Sequence, residues 1–335
     1  MTDRPSQHRS VTAETAAPVA ADRRPQPGPI TILPGEDEVF ASAVLAGGGR
    51  LTQLSDETRG LIWLTYGETD RLVEFLHDHP RTGWVQLPYA GVDAFADVLA
   101  RFAGTTTPLW TSAKGAYAQP VAEHALTLVL ALLRVLPKRV LATSWAGEPK
   151  EGTSLFGLNV LIVGAGGIAI ELIRLLEPFG VHVTVVRRST TPVAGAERTV
   201  SSEHLLQVLP AADVVVIAAA FTDSTRRLIG APELAAMKGS AVLVNIARGG
   251  LVDTDALTAA LADGAIAGAG LDVTDPEPLP DGHPLWTEER VIITPHSADT
   301  PEMTAPLLAE RITENVRAFL GDGRFVGVVD PEAGY

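Results

Sequence analysis

The sequence predicts an α/β protein of two domains, one of them a doubly wound parallel sheet. Three observations carry this. The chain has 335 residues, and at about 150 residues per domain that length supports two hydrophobic cores. From Ile30 onward, short β-branched or apolar runs alternate with helical stretches, the pattern of parallel strands joined by crossover helices. The later half holds six strand-like runs, most of them separated by plausible helices: Asn159 to Val163, Val181 to Val186, Asp213 to Ala218, Ala241 to Asn245, Ala267 to Asp272 and Val291 to Thr294.

In chain order, residues 1–29 mix Pro, Ala and charges without an apolar run that could pack, insert or be cleaved as a signal. They are expected to form a disordered arm. Then come ITIL, a helix through Val39 to Ala46, RLTQL, GLIWL, a helix around Arg71 to His77, GWVQL and TPLWT, a small parallel α/β domain. The spacing of Val121, Ala125, Leu128, Val129 and Leu132 predicts a helix over Ala118 to Leu136 with one buried face, ended by Pro137. After the second strand series, Pro301 to Leu320 is amphipathic and is expected to pack back on the first domain. There is no internal repeat beyond this alternation. The longest apolar stretch, Ala125 to Leu133, stops at Arg134, well short of the roughly 18 to 20 residues of a membrane span. A cytoplasmic protein without a membrane partner is expected.

Charge and composition narrow the chemistry. Lys and Arg number 26 against 40 Asp and Glu, a net charge of −14, which argues against a nucleic-acid partner. Cysteine is absent, removing disulfides, thiolate nucleophiles and Cys-ligated metals together. For the acids around 272 to 281 the plainer alternative is an acidic loop; a metal site there is an option the chemistry does not need, and no metal is expected.

The first strand of the second series runs into Gly164-Ala165-Gly166-Gly167-Ile168-Ala169 and then a helical stretch. This is G-x-G-x-x-A in a strand–turn–helix context, where glycines permit a tight turn and bring a pyrophosphate close to a helix N-terminus. The plainer alternative is a glycine-rich turn that binds nothing. A carboxylate for the ribose 2′-hydroxyl is expected after the second strand of an NAD site, yet the sequence reads Arg187-Arg188-Ser189-Thr190. Two guanidiniums suit a 2′-phosphate, so NADP(H) is the preferred cofactor, with NAD as the alternative. Ligands of open α/β sheets lie past the carboxyl ends of the strands. The polar residues there are Arg187, Thr222, Arg248, Asp272, Glu277 and His296. A cation, two acids and a histidine could bind and protonate a 2-oxo acid.

At these residues the sequence resembles the D-isomer-specific 2-hydroxyacid dehydrogenases, the family of glyoxylate/hydroxypyruvate reductase and phosphoglycerate dehydrogenase. VNIARGGLVD (Val244 to Asp253), GAGLDVTDPEPLP (Gly268 to Pro280) and TPHSADT (Thr294 to Thr300) carry the match, with LPYAGVD (Leu87 to Asp93) and PVAEHAL (Pro120 to Leu126) before them. The resemblance covers nearly everything from Ile30 to Tyr335. It implies a Rossmann domain over 113–299, inserted into a flavodoxin-like substrate domain of 30–112 plus 300–335, with the active site in the cleft between them. It implies Arg248, Glu277 and His296 as catalytic residues, with His296 protonating the forming alkoxide and Glu277 orienting its ring. Cofactor contacts fall on Gly164, Gly166, Gly167, Ile168, Arg187, Arg188, Ser189, Ala219, Thr225, Ile246, Ala247, Asp272 and His296. Substrate contacts fall on Ala90, Gly91, Arg248 and His296.

The activity implied is NADPH-dependent reduction of a small 2-oxo acid, glyoxylate or hydroxypyruvate, to the D-2-hydroxy acid by a homodimer. The dimer contact would use the helix from Ala118 and the segment after it. Ala220, Thr274-Asp275 and Ala298 depart from the family's pattern beside the pocket. Two other readings use the same fold: oxidation of another small anion such as phosphite, and a nucleotide-sensing binding protein like the C-terminal-binding-protein corepressors. His182, His124 and His8 read as structural or solvated. Trp145 and Trp286 read as packing residues, Trp145 with a dimer contact as the alternative.

Overall fold

The computed structural model describes residues 11, 16, 18–35, 37–145 and 150–332. The chain divides into two compact units, one drawn from Met1–Tyr117 and Thr300–Tyr335, the other from Ala118–Asp299.

The first unit holds β1 (Ile30–Leu33), β2 (Gly60–Trp63), β3 (Trp84–Gln86) and β4 (Leu109–Thr111), paired in that order and all parallel. Leu61, Ile62 and Trp63 are fully buried, as continuous apolar runs are when both faces of a parallel sheet are covered. RLTQL, expected to be a strand, makes only an isolated parallel bridge from Leu51 to Ile30. The polar stretch after it leaves the sheet edge, and the Thr58 hydroxyl meets that of Thr31 at 2.9 Å. With that bridge counted, the sequence order is 2-1-3-4-5, the flavodoxin-like arrangement.

The helix Pro301–Leu320 returns to this unit and packs on the helix Glu38–Ala46. Buried polar bonds fix its register. Asn315 Nδ2 donates to Gln86 Oε1 (2.7 Å), the Val326 N–H donates to Asn315 Oδ1 (2.7 Å), and Arg311 Nη1 donates to the Ser112 carbonyl (2.8 Å). Part of the expected disordered arm is instead held here: the Val11 N–H donates to Gly115 O and the Val19 N–H to Gly323 O, each at 2.9 Å. Residues 1–10, 12–15 and 17, with His8 among them, lie outside the described residues.

The second unit holds β5 (Asn159–Val163), β6 (His182–Arg187), β7 (Arg198–Ser201), β8 (Val214–Ile217), β9 (Val242–Asn245), β10 (Gly268–Leu271) and β11 (Val291–Ile293). All pairs are parallel, in the order β11-β10-β9-β8-β5-β6-β7. This is a doubly wound sheet whose order reverses between β5 and β8. Seven strands form where six were expected. The additional one, β7, is a short edge strand, Arg-Thr-Val-Ser, partly exposed throughout and therefore without an apolar run to announce it. The helix expected over Ala118 to Leu136 ends at Leu133. Val135 takes a left-handed φ of 52°, and Pro137 lies in the first turn of a new helix, Leu136–Val140. A proline fits there because the N–H it lacks has no helical partner at that position.

Candidate active site on the sheet edge of the second unit

The carboxyl end of β5 turns at Gly164, whose φ is 117°. A Cβ there would sit 2.3 Å from the Ala218 carbonyl oxygen, so only glycine fits. The helix Gly167–Leu176 follows. Its N-cap is Gly166, no side chain caps it, and nothing lies within 4 Å of where a Gly166 Cβ would be. An uncapped helix N-terminus presents N–H donors and the positive end of the helix dipole to open space. That cradle fits the pyrophosphate of a dinucleotide. Ile168, next in the helix, is half-buried, as is Arg187 at the end of β6, while Arg188 and Ser189 are exposed beyond it.

After β8, Thr225 staples its own loop: its hydroxyl donates to Ala220 O at 2.8 Å and accepts from the Thr222 N–H at 2.8 Å. This closes the turn that carries Ala219. After β9, the buried Asn245 does the same work for the next loop. Its Nδ2 donates to Arg248 O (2.9 Å) and its Oδ1 accepts from the Ala247 N–H (3.1 Å). Ile246 and Ala247 are buried and Arg248 is half-buried. Gly249 completes the loop, since a Cβ there would fall 1.8 Å from Thr274 O.

Asp272, at the end of β10, is buried and organises the segment that carries His296. Its Oδ1 accepts from the Thr294 hydroxyl (2.5 Å) and the Ser297 N–H (2.9 Å), and its Oδ2 from the Ala298 N–H (3.1 Å). His124, from the helix Ala118–Leu133, places Nε2 3.0 Å from Thr294 Oγ1 and 3.5 Å from Asp272 Oδ1. Burial raises the Asp272 pKa, but these bonds outweigh it and hold the carboxyl below its ordinary value. A carboxyl depressed in this way stabilises the fold fully above its ordinary value near 3.8, and that contribution is lost as pH falls through the lower folded value. Asp272→Ala removes the acceptor from three donors and is expected to cost about 3 kcal/mol. Chemical denaturation measures this; a loss under about 0.5 kcal/mol would show that the segment holds itself.

His296 sits on this platform with a left-handed φ of 49°, an unfavourable conformation for a non-glycine residue. Its N–H is tied to the Asp272 carbonyl at 2.8 Å. Nδ1 lies 2.7 Å from Glu277 Oε1. An ionised carboxylate only accepts, so Nδ1 carries the proton and donates it to Glu277, which leaves Nε2 to face a ligand. Both side chains of the pair remain accessible, at 47% and 42% exposure. Asp299 stands close enough to sense the charges of His296, Asp272 and Arg248, and burial raises its carboxyl above the ordinary value. The structure therefore assembles Arg248, Asp272, Glu277 and His296 at one edge.

Ala90 and Gly91 lie in the first unit, in the loop after β3, beside Pro88, whose carbonyl accepts from the Tyr117 hydroxyl at 2.6 Å. Trp286 is partly exposed and donates Nε1–H to Pro280 O (3.0 Å), while Trp145 is fully exposed. Among the described residues, no three His, Asp or Glu side chains are grouped to hold a metal ion, and no helix is long and apolar enough to cross a membrane. Sequence reasoning missed Asn245, Thr294 and Asp299 as residues around the site, and His124, expected to be structural or solvated, has the structural role. For Thr294 and Asp299 the available signal was adjacency to His296; Asn245 is the last residue of a strand already placed.

Residues 126–298 match the family model of the D-isomer specific 2-hydroxyacid dehydrogenase NAD binding domain. An uncharacterized protein of Corynebacterium melassecola is 41% identical over 256 residues, 75% of this chain and 83% of that one. The human glyoxylate reductase/hydroxypyruvate reductase is 35% identical over 206 residues, and the match spans 59% of this chain but only 63% of the reductase. The crystal structure of a D-isomer specific 2-hydroxyacid dehydrogenase from Xanthobacter autotrophicus Py2, in complex with NADPH and MES, superposes with a TM-score of 0.78 at 27% identity, covering 92% of this chain and 100% of that one. The family model alone takes in more than half of the sequence, and the chain belongs to the D-isomer specific 2-hydroxyacid dehydrogenase family.

Proposed function

We propose that the protein reduces a small 2-oxo acid of the glyoxylate or hydroxypyruvate type to the D-2-hydroxy acid, with NADPH preferred over NADH. The observation that carries this reading is the accessible His296–Glu277 pair, 2.7 Å apart, on the same strand edge as Arg248. A bound nicotinamide supplies the hydride to C2. His296, protonated at Nε2, gives the proton that converts the forming alkoxide to a hydroxyl, and Glu277 keeps the ring aimed by holding Nδ1. Arg248 binds the substrate carboxylate and the carbonyl oxygen through its paired N–H groups. Gly164, Gly166, Gly167 and Ile168 hold the pyrophosphate, and Arg187, Arg188 and Ser189 hold the 2′-phosphate. Ala219, Thr225, Ile246, Ala247 and Asp272 bound the remainder of the cofactor site. The reductase activity of the human relative and the NADPH in the Xanthobacter structure support the reading.

Steady-state kinetics with a panel of 2-oxo acids and both coenzymes test it. Each charge-assisted bond to the 2′-phosphate contributes about 1.5–3 kcal/mol, so NADPH should exceed NADH by at least about 10-fold in kcat/KM. Arg187→Asp should remove most of that margin. A preference for NADH, or no loss with NADPH in that variant, overturns the coenzyme assignment. NADPH binding without reduction of any 2-oxo acid would point to nucleotide sensing instead.

A homodimer belongs to the same proposal. It is supported by the exposed apolar residues Leu136, Val140, Leu141 and Trp145, which follow the first helix of the second unit. Sedimentation equilibrium should return twice the 35.2 kDa chain mass; a monomer at micromolar concentration would contradict it.

A further inference from the structure

Asp299 has no role in the chemistry described above, yet it occupies the segment built around Asp272. The Ser297 and Ala298 N–H groups both bond the Asp272 carboxylate, and the next residue is a second acid. It is half-buried, and among the described residues no N–H or O–H donates to it and no cation pairs with it. Partly desolvated carboxylates are costly without such a donor. The groups near enough to act on Asp299 are His296 and Arg248, which favour its charge, and Asp272, which opposes it. Of these, His296 and Arg248 are the residues between which the reacting end of the substrate is proposed to sit.

We infer that Asp299 sorts 2-oxo acids by the substituent on C3, favouring one that donates a hydrogen bond or carries positive charge and rejecting one that carries a second anion. The inference rests on the 2-oxo acid reading of the site. A hydroxyl, amine or guanidine on the substituent supplies the donor that the chain does not. A second carboxylate, sulfonate or phosphate meets the negative charge of Asp299, and like charges at close quarters exclude a ligand as effectively as a steric clash. The raised pKa of Asp299 agrees with a carboxylate awaiting a partner.

The test compares kcat/KM with NADPH for glyoxylate, hydroxypyruvate, oxaloacetate and 2-oxo-5-guanidinopentanoate in the wild type, Asp299→Asn and Asp299→Ser. Both variants should raise the oxaloacetate-to-glyoxylate ratio by about 10-fold or more and lower the guanidino-acid-to-glyoxylate ratio by a similar factor, the scale of one bond to a charged group. The two ratios move in opposite directions, which a merely structural role would not produce. If the wild type reduces glyoxylate and neither ratio moves in whichever variant folds, the inference about Asp299 fails alone. If the wild type reduces no 2-oxo acid, the functional reading fails and takes this inference with it.

Discussion

Replacing His296 by alanine lowers turnover with NADPH and a 2-oxo acid by a factor of about 100 or more, the usual contribution of a general acid, while NADPH still binds. The expectation follows from how the residue is built. Its backbone is held at a left-handed φ of 49°, its N–H is tied to the Asp272 carbonyl, and its ring is tied to Glu277. Three constraints on one accessible histidine are more than packing requires, and they leave Nε2 as the atom with a free direction. Glu277→Gln separates orientation from charge. The amide oxygen still accepts from Nδ1, so the ring stays aimed, but the carboxylate that accompanies the protonated ring is gone, and an intermediate loss is expected. Turnover of His296→Ala within a few-fold of wild type, with coenzyme binding confirmed by fluorescence titration, would remove the residue from the mechanism.

Arg248→Leu lowers kcat/KM by about 100-fold or more. Two charge-assisted bonds to a carboxylate and carbonyl oxygen contribute about 1.5 kcal/mol each at the low end, or roughly 3 kcal/mol, and each 1.4 kcal/mol is a factor of ten. Arg248→Lys restores only part of this, because an ammonium cannot offer the planar pair of donors. The loop itself should survive the change. Its shape depends mainly on Asn245, which bonds Ala247 and Arg248 through backbone groups, and on Gly249 packed against Thr274, while the Arg248 side chain adds one bond, from Nη1 to the Ala247 carbonyl at 2.8 Å. Equal kcat/KM for wild type and Arg248→Leu would place substrate binding elsewhere.

The parts of this fold that were legible in the sequence are those where burial is extreme. β5, β8 and β9 are apolar runs buried on both faces, and each was located to within a residue or two. β7 was invisible for the opposite reason: an edge strand of Arg, Thr, Val and Ser has no hydrophobic pattern to read. RLTQL misled because only Leu51 pairs before the chain turns away. The helix from Ala118 breaks at Val135, and Pro137 opens the next helix where it was expected to close this one.

In the site, Arg248, Asp272, Glu277 and His296 are singled out by sequence because residues past strand ends lie at a ligand edge. The residues that position them were not legible. His124 reaches Thr294 across 170 positions of sequence and Thr294 reaches Asp272 across 22, and such pairings exist only once the sheet has brought the elements together. Asp299 carries no sequence signal of its own beyond its place three residues after His296.

The central claim, hydride transfer to C2 with a proton from His296, is tested most directly by isotope. The wild-type protein is incubated with a 2-oxo acid that gives a chiral product, such as hydroxypyruvate, and NADPH carrying deuterium at C4 of the nicotinamide, on both faces. The account predicts one deuterium at C2 of a D-2-hydroxy acid, a hydroxyl hydrogen drawn from solvent, and loss of product formation in His296→Ala. A product without deuterium at C2, an L-product, or an undiminished yield from His296→Ala would contradict it.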